Sequence, residues 1–184
     1  LKLFLGSSTG NMLVDNPDIL REIFKNTNLV IAVHCEDEAT IKANTQKAIE
    51  QYGDNIPIEQ HPVIRSEKAC FLSSSQAVAL AKETGARLHV FHLSTAKELS
   101  LFRNDKPLKE KRITAEVCVH HLWFSDEDYA SKGTQIKWNP AVKTKNDREA
   151  LWEGLNIDLL DVLATDHAPH TLEEKKNSYL HAPS

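Results

Sequence analysis

The stretch that most constrains this chain is Asp161-Val162-Leu163-Ala164-Thr165-Asp166-His167-Ala168-Pro169-His170, an apolar run that stops on an acid, two histidines and a proline. Such a run suits a strand covered on both faces. Pro169, which has no backbone N–H, forbids its continuation as a central strand or a helix. Asp166 is therefore expected at the strand's carboxyl end, where α/β folds build their sites because loops vary there while the strands hold them rigid.

The same pattern recurs upstream. Leu29-Val30-Ile31-Ala32-Val33 ends in His34-Cys35-Glu36-Asp37, and Arg87-Leu88-His89-Val90-Phe91 delivers His92. Leu1 to Leu5 reads as a strand followed by a turn-rich loop, Ile113 to Val119 as another strand, and Ile136-Lys137-Trp138 as a short one stopped by Asn139-Pro140. Between them the 3.6-residue periodicity predicts helices over 18–25, 38–52, 66–83 and 147–155, and Ser94 to Leu99 is expected to open one more. Asn16 and Pro17 make an N-cap and N1 pair, and Gly85 supplies a stop.

Buried strands alternating with helices imply parallel strands joined by right-handed crossovers, hence an α/β architecture. The polar termini end several different strands, as expected where loops ring one mouth of a (β/α)8 barrel; an open sheet would concentrate its site at one switch point. About five strands are too few to close an eight-stranded barrel, so the expectation is a partial TIM barrel whose missing strands precede residue 1.

Composition narrows the partners. With 41% hydrophobic and 26% charged residues over 184 positions the chain can bury an ordinary core, and its net charge of −4 gives no broad basic field for nucleic acid or an anionic membrane. A small-molecule substrate is the default. No apolar run approaches the roughly 20 residues that span a bilayer. Cys35, Cys70 and Cys118 are an odd number without CxxC spacing, which fits a reducing, cytoplasmic setting.

Lys2, His34, His92 and Asp166 each lie at or near a strand terminus, and two neutral imidazoles with a carboxylate suit zinc. Any one strand-end histidine is ordinarily a hydrogen-bonded structural residue; the recurrence is what points to a site. Asn139 and His170 read equally well as a turn cap and a loop-stabilising side chain; His120-His121 reads either as a pair supporting the metal ligands from behind or as a solvated loop, and the solvated loop is favoured.

The pieces Lys2 to Met12, His34-Cys35-Glu36-Asp37, Leu88 to Ala96, Trp138-Asn139-Pro140 and Ala164 to His170 together resemble the dihydroorotases of the amidohydrolase superfamily of metal-dependent TIM barrels. The resemblance implies that strands 4 to 8 of the barrel are present, so that 1–184 is the C-terminal part of the hydrolase barrel without its first strands and C-terminal end. It implies that Lys2 is the lysine carboxylated to bridge two Zn2+ ions, that His34, His92 and Asp166 are further metal ligands, and that Asp166 is also the catalytic base. Asn139 and His170 would contact substrate. The implied activity is dihydroorotase, the reversible cyclisation of N-carbamoyl-L-aspartate to dihydroorotate in pyrimidine biosynthesis, by a protein that resemblance suggests is a homodimer.

The family's first strand also carries a His-x-His pair with a nearby substrate-binding arginine, and this chain has neither. They are expected upstream of residue 1, and the 184 residues alone are expected to be inactive. Two alternatives stand beside this reading. One is a hydantoinase, dihydropyrimidinase or allantoinase type of cyclic amidase; the other is a catalytically silent barrel kept as a scaffold, which loss of metal ligands would mark.

Overall fold

The computed structural model describes residues 1–6 and 13–184; the Ser7 to Asn11 part of the loop after the first strand lies outside the described residues. Strands β1 (Lys2–Phe4), β2 (Val30–His34), β3 (Arg87–Val90), β4 (Ile113–Cys118) and β5 (Val162–Ala164) form one sheet in sequence order, each parallel to the next. Helices α1 (Pro17–Asn26), α2 (Glu38–Tyr52), α3 (His61–Ile64), α4 (Glu67–Thr84), α5 (Val119–Trp123), α6 (Tyr129–Lys132), α7 (Lys145–Asn156) and α8 (Leu172–Lys175) fill the connections.

The period of two along each strand separates two faces. Ile31, Val33, Leu88, Val90, Ala115 and Val117 are almost fully buried and pack with Phe24 of α1, Ala77, Val78 and Ala81 of α4, and Leu151 of α7. Fully burying each large side chain of this set contributes about 1.5–3 kcal/mol, which makes this face the adhesive of the fold. The alternate positions carry polar groups. Lys2 aligns with Ala32, Ala32 with His89, and His89 with Thr114; Phe4 aligns with His34, and Cys118 with Ala164. These layers are the interior of a barrel wall, and their upper end is the mouth.

The helix signals hold. The Asn16 side chain accepts from the N–H groups of Asp18 and Ile19, Ser66 caps α4, and Gly85 ends it with φ 71°. Thr144 and Asp147 form a capping box on α7, and Asp147 Oδ1 also accepts from Ala96 N at 2.8 Å, which pins the loop after β3 to that helix. Gly6 is needed because a Cβ there would stand 2.1 Å from the Glu36 carbonyl oxygen.

Three expectations fail. The 136–138 stretch is not a strand: Gly133–Ile136 is a 3-10 turn that begins with Gly133 at φ 58°, and the chain then crosses above the sheet, where the Trp138 carbonyl accepts from His61 Nε2 at 2.6 Å. The segment after His92 forms only a short 3-10 helix, Lys97–Leu101, because Ser94 and Thr95 turn inward onto the buried Glu98 carboxyl. β5 is not covered on both faces, since Val162 and Leu163 are 39% and 54% exposed at the sheet edge. Its start is nonetheless anchored by Asp161, which takes Lys111 Nζ at 2.6 Å and Ala115 N at 3.0 Å.

Candidate active site

A cavity of about 480 Å3 opens at the carboxyl ends of the strands, lined by Lys2, Phe4, His34, His92, His120, Trp138, Asn139 and the Thr165 to Ala168 loop, among others. A second cavity of about 470 Å3 lies between α1, α2 and α4. Size does not separate the two. Chemistry does, because the histidines gather in the first.

His34 and His92 form its floor. Both are buried, their Nδ1 and Nε2 atoms are 3.0 Å apart, and their rings meet edge to face at 4.8 Å. His34 Nε2 lies 3.0 Å from Glu36 Oε2, and Arg65 pairs with the same carboxylate. Arg65 and then His34 hold the Glu36 carboxyl below the usual carboxylate range against the cost of its burial. An ionised carboxylate can only accept, so Nε2 of His34 carries a proton and, in the neutral ring, Nδ1 turns its lone pair towards His92. Burial, then His34, keeps His92 uncharged. Two buried imidazoles whose ring nitrogens face one another across 3.0 Å are a donor set that fits a divalent cation.

Of the three non-glycine residues with positive φ among those described, His92 (36°) and Asp166 (44°) lie here, while Asp158 (59°) lies outside the cavity lining. A non-glycine residue held this way costs about 1–3 kcal/mol and persists where its surroundings over-determine it. Glu116 of β4 supplies part of that hold on His92, accepting from its N–H at 3.4 Å while also bonding His89 Nε2 at 3.0 Å.

The other expected residues take varied positions. Lys2 opens β1 rather than ending it, and its Nζ lies 4.8 Å and 5.1 Å from the centres of the Phe4 and Phe91 rings. Asn139 lines the cavity; its Nδ2 donates to Ser184 Oγ at 2.7 Å and its buried Oδ1 has no partner among the described residues. His167 lines the cavity as well, whereas His170 is outside its lining and lies 3.8 Å from Glu174. Lys2, His34, His92 and Asp166 thus share one cavity, and within it the direct contact is between His34 and His92.

Several participants have no role in the sequence reading. Glu36 follows His34 by two residues, the spacing that lets a side chain fold back onto its neighbour; Arg65 lies on a distant turn and carries no local signal. His120 stacks on Trp138 at 4.5 Å and is driven down to about 4 by burial. His121 is buried and bonds the Pro140 carbonyl at 3.1 Å, so the solvated-loop reading of the pair fails. With Cys118 these two histidines form a group whose ligand atoms lie within 4.8 Å of one another.

No family model matches the chain. A dihydroorotase from Deinococcus radiodurans is 38% identical over 173 residues, which is 92% of this chain and 40% of that protein. Among solved structures, a D-hydantoinase (dihydropyrimidinase) from Thermus sp. superposes on 99% of this chain and 41% of its own with a TM-score of 0.86 at 21% identity. A Saccharomyces cerevisiae dihydroorotase, solved in complex with 5-fluoroorotic acid, covers 100% of this chain and 49% of its own with a TM-score of 0.72 at 20% identity. The chain spans about two fifths of the length of the curated relative it matches. By sequence it is a relative of the dihydroorotases, and by fold it is part of an amidohydrolase TIM barrel.

Proposed function

We propose that the protein carrying this chain is a dihydroorotase, a metal-dependent cyclic amide hydrolase that interconverts dihydroorotate and N-carbamoyl-L-aspartate in pyrimidine biosynthesis. The observation that carries the reading is the coincidence of a dihydroorotase relative 38% identical over 92% of the chain with a cavity into which the fold gathers Lys2, His34, His92 and Asp166. In this reading His34, His92, Asp166 and a carboxylated Lys2 hold two Zn2+ ions, with further ligands from outside this chain. Bound there, the cations acidify the attacking water and polarise the scissile carbonyl.

The chain's own residues do the rest. Glu36, backed by Arg65, fixes the tautomer and aim of His34. Asp166, on the strained turn after β5, takes a proton from the attacking water and returns it to the departing amide nitrogen; in the cyclising direction the proton runs back along the same path. Asn139 offers its unpartnered Oδ1 to a ring N–H, a pairing that relieves an otherwise costly buried acceptor. The Trp138 and His120 rings wall the cavity and exclude water. His170 contributes to substrate binding by leaving Glu174 and turning inward. A cytoplasmic location and a homodimer complete the reading.

A second reading, a hydantoinase or dihydropyrimidinase, rests on the TM-score of 0.86 with the Thermus enzyme. The test is hydrolysis of dihydroorotate, hydantoin and dihydrouracil by the same metal-loaded protein, with Asp166→Asn alongside. Preference for dihydroorotate, abolished in the variant, is expected. Preference for hydantoin or dihydrouracil moves the assignment to the second reading, and turnover of none of them by a metal-loaded preparation defeats both.

A further inference from the structure

Of the cluster of Cys118, His120 and His121, the proposed reaction uses only the His120 ring, as part of the cavity wall; Cys118 and His121 have no part in it. Cys118 closes β4 beside Ala164 of β5, and the two histidines follow in the first turn of α5. One ligand atom from each lies within 4.8 Å of the others; a tetrahedral ion with bonds of about 2.0–2.3 Å holds its ligand atoms roughly 3.3–3.8 Å apart, so the three side chains close in slightly to bind one.

An independent observation shows which way His121 faces chemically. Its Nε2 is engaged by the Pro140 carbonyl, which can only accept, so the proton sits on Nε2 and Nδ1 carries a lone pair. That Nδ1 is buried and has no partner among the described residues. A carbonyl fixing one ring nitrogen while the other stays bare is the arrangement by which proteins orient a metal-binding imidazole.

Cys118 is buried, and burial pushes its thiol up, so the geometry of the three ligand atoms, not the acidity of the thiol, is what points to a site. His120 and His121 are both kept neutral by burial, the state in which imidazole binds metal.

We propose that Cys118, His120 and His121 form a second, thiolate-containing site for a soft divalent cation such as zinc, with His121 binding through Nδ1 and a fourth position open to solvent. The cation displaces the thiol proton to solvent and forms three bonds to the chain. It ties the end of β4 to the start of α5, and so fixes His120 and the Trp138 ring stacked on it, one wall of the substrate cavity. This site stands on its own geometry and does not depend on the cyclic-amidase reading, whose ligands contain no sulfur.

Cobalt substitution separates the two. The protein is stripped with a chelator, reloaded with Co2+, and compared with Cys118→Ser for cobalt content and for the sulfur-to-cobalt charge-transfer absorption in the near ultraviolet. The band is expected in the parent, and in the variant it disappears together with about one equivalent of cobalt per chain. Cobalt that remains in Cys118→Ser, with visible ligand-field absorption and no sulfur band, belongs to the His34 and His92 site; its absence counts against the proposed function and leaves the thiolate site standing. A parent protein without the band, or a band that survives in Cys118→Ser, overturns the site. Serine is close to cysteine in size, so the fold is expected to persist; zinc-edge X-ray absorption of the parent, showing one sulfur at about 2.3 Å, reads the same ligand with no substitution.

Discussion

His61 and the His34–His92 pair are buried to nearly the same degree, yet the fold uses them in opposite ways. His61 is saturated: Nε2 donates to the Trp138 carbonyl at 2.6 Å, Nδ1 accepts from the Tyr179 hydroxyl at 3.0 Å, and its ring meets Tyr179 and Tyr129 edge to face. It holds the 138–140 crossing and the 179 region onto α3. His34 and His92 instead meet each other through ring nitrogens in the lining of a cavity, with a carboxylate orienting only the far side of His34. Burial alone therefore does not distinguish a structural histidine from one available for chemistry. The partner of the second nitrogen does.

The largest expected effect breaks the reactive side of this comparison. Asp166→Asn keeps a residue type that tolerates positive φ, so its unfolding midpoint should stay near the parent's while turnover of the preferred cyclic amide falls about 10^3-fold, roughly 4 kcal/mol of barrier. Near-parental turnover would remove Asp166 from the mechanism.

His61→Ala strikes the saturated side. It empties a packed position and strands the Trp138 carbonyl, so urea unfolding should show a loss of about 3 kcal/mol, with a loss of activity per folded molecule far smaller than that of Asp166→Asn, passed on through the 138–140 crossing. His61 also carries a pH signature. Burial depresses its folded value to about 3 from an ordinary 6.5, so on acidification the unfolded chain takes up the proton first. Its contribution to stability is whole above 6.5 and drains away between 6.5 and 3. Stability-against-pH curves of the parent and His61→Gln should diverge across that window by a total of up to a few kcal/mol, about 1.4 kcal/mol per pH unit at most, and parallel curves would show that His61 does not titrate with folding.

Glu36→Gln sharpens the reactive side. It leaves His34 in place but removes the charge that fixes its tautomer, and metal affinity measured by competition with a chelator should weaken about 10–100-fold. An unchanged affinity would mean that packing alone orients the imidazole. The smallest effect is expected from Tyr179→Phe, which takes one hydrogen bond from His61: about 1 kcal/mol in unfolding and no change in turnover.

The parts legible in the sequence are those that depend on near neighbours. Apolar runs ending on His34, His92 and Asp166, the Asn16 cap and the Gly85 stop are short-range patterns, and they place the strands, helices and cavity residues that the structure shows. The misreadings share a cause. Ile136 to Trp138 has strand composition, but its backbone partners lie far along the chain, at His61 among others. Val162 to Ala164 reads as doubly covered because composition does not say whether a neighbour stands on the second side.

Alternation and polar strand ends, then, determined by themselves the parallel α/β order and the end of the sheet where the reactive residues gather. Only the tertiary structure decided which histidine nitrogens are tied to structural partners, which meet another imidazole at the cavity, and which, like His121 Nδ1, have no partner among the described residues. A ring nitrogen's partner, whether the Tyr179 hydroxyl, the Pro140 carbonyl or another imidazole, is set by distances of about 3 Å between residues 19 to 118 positions apart. No local pattern of residue types encodes that separation.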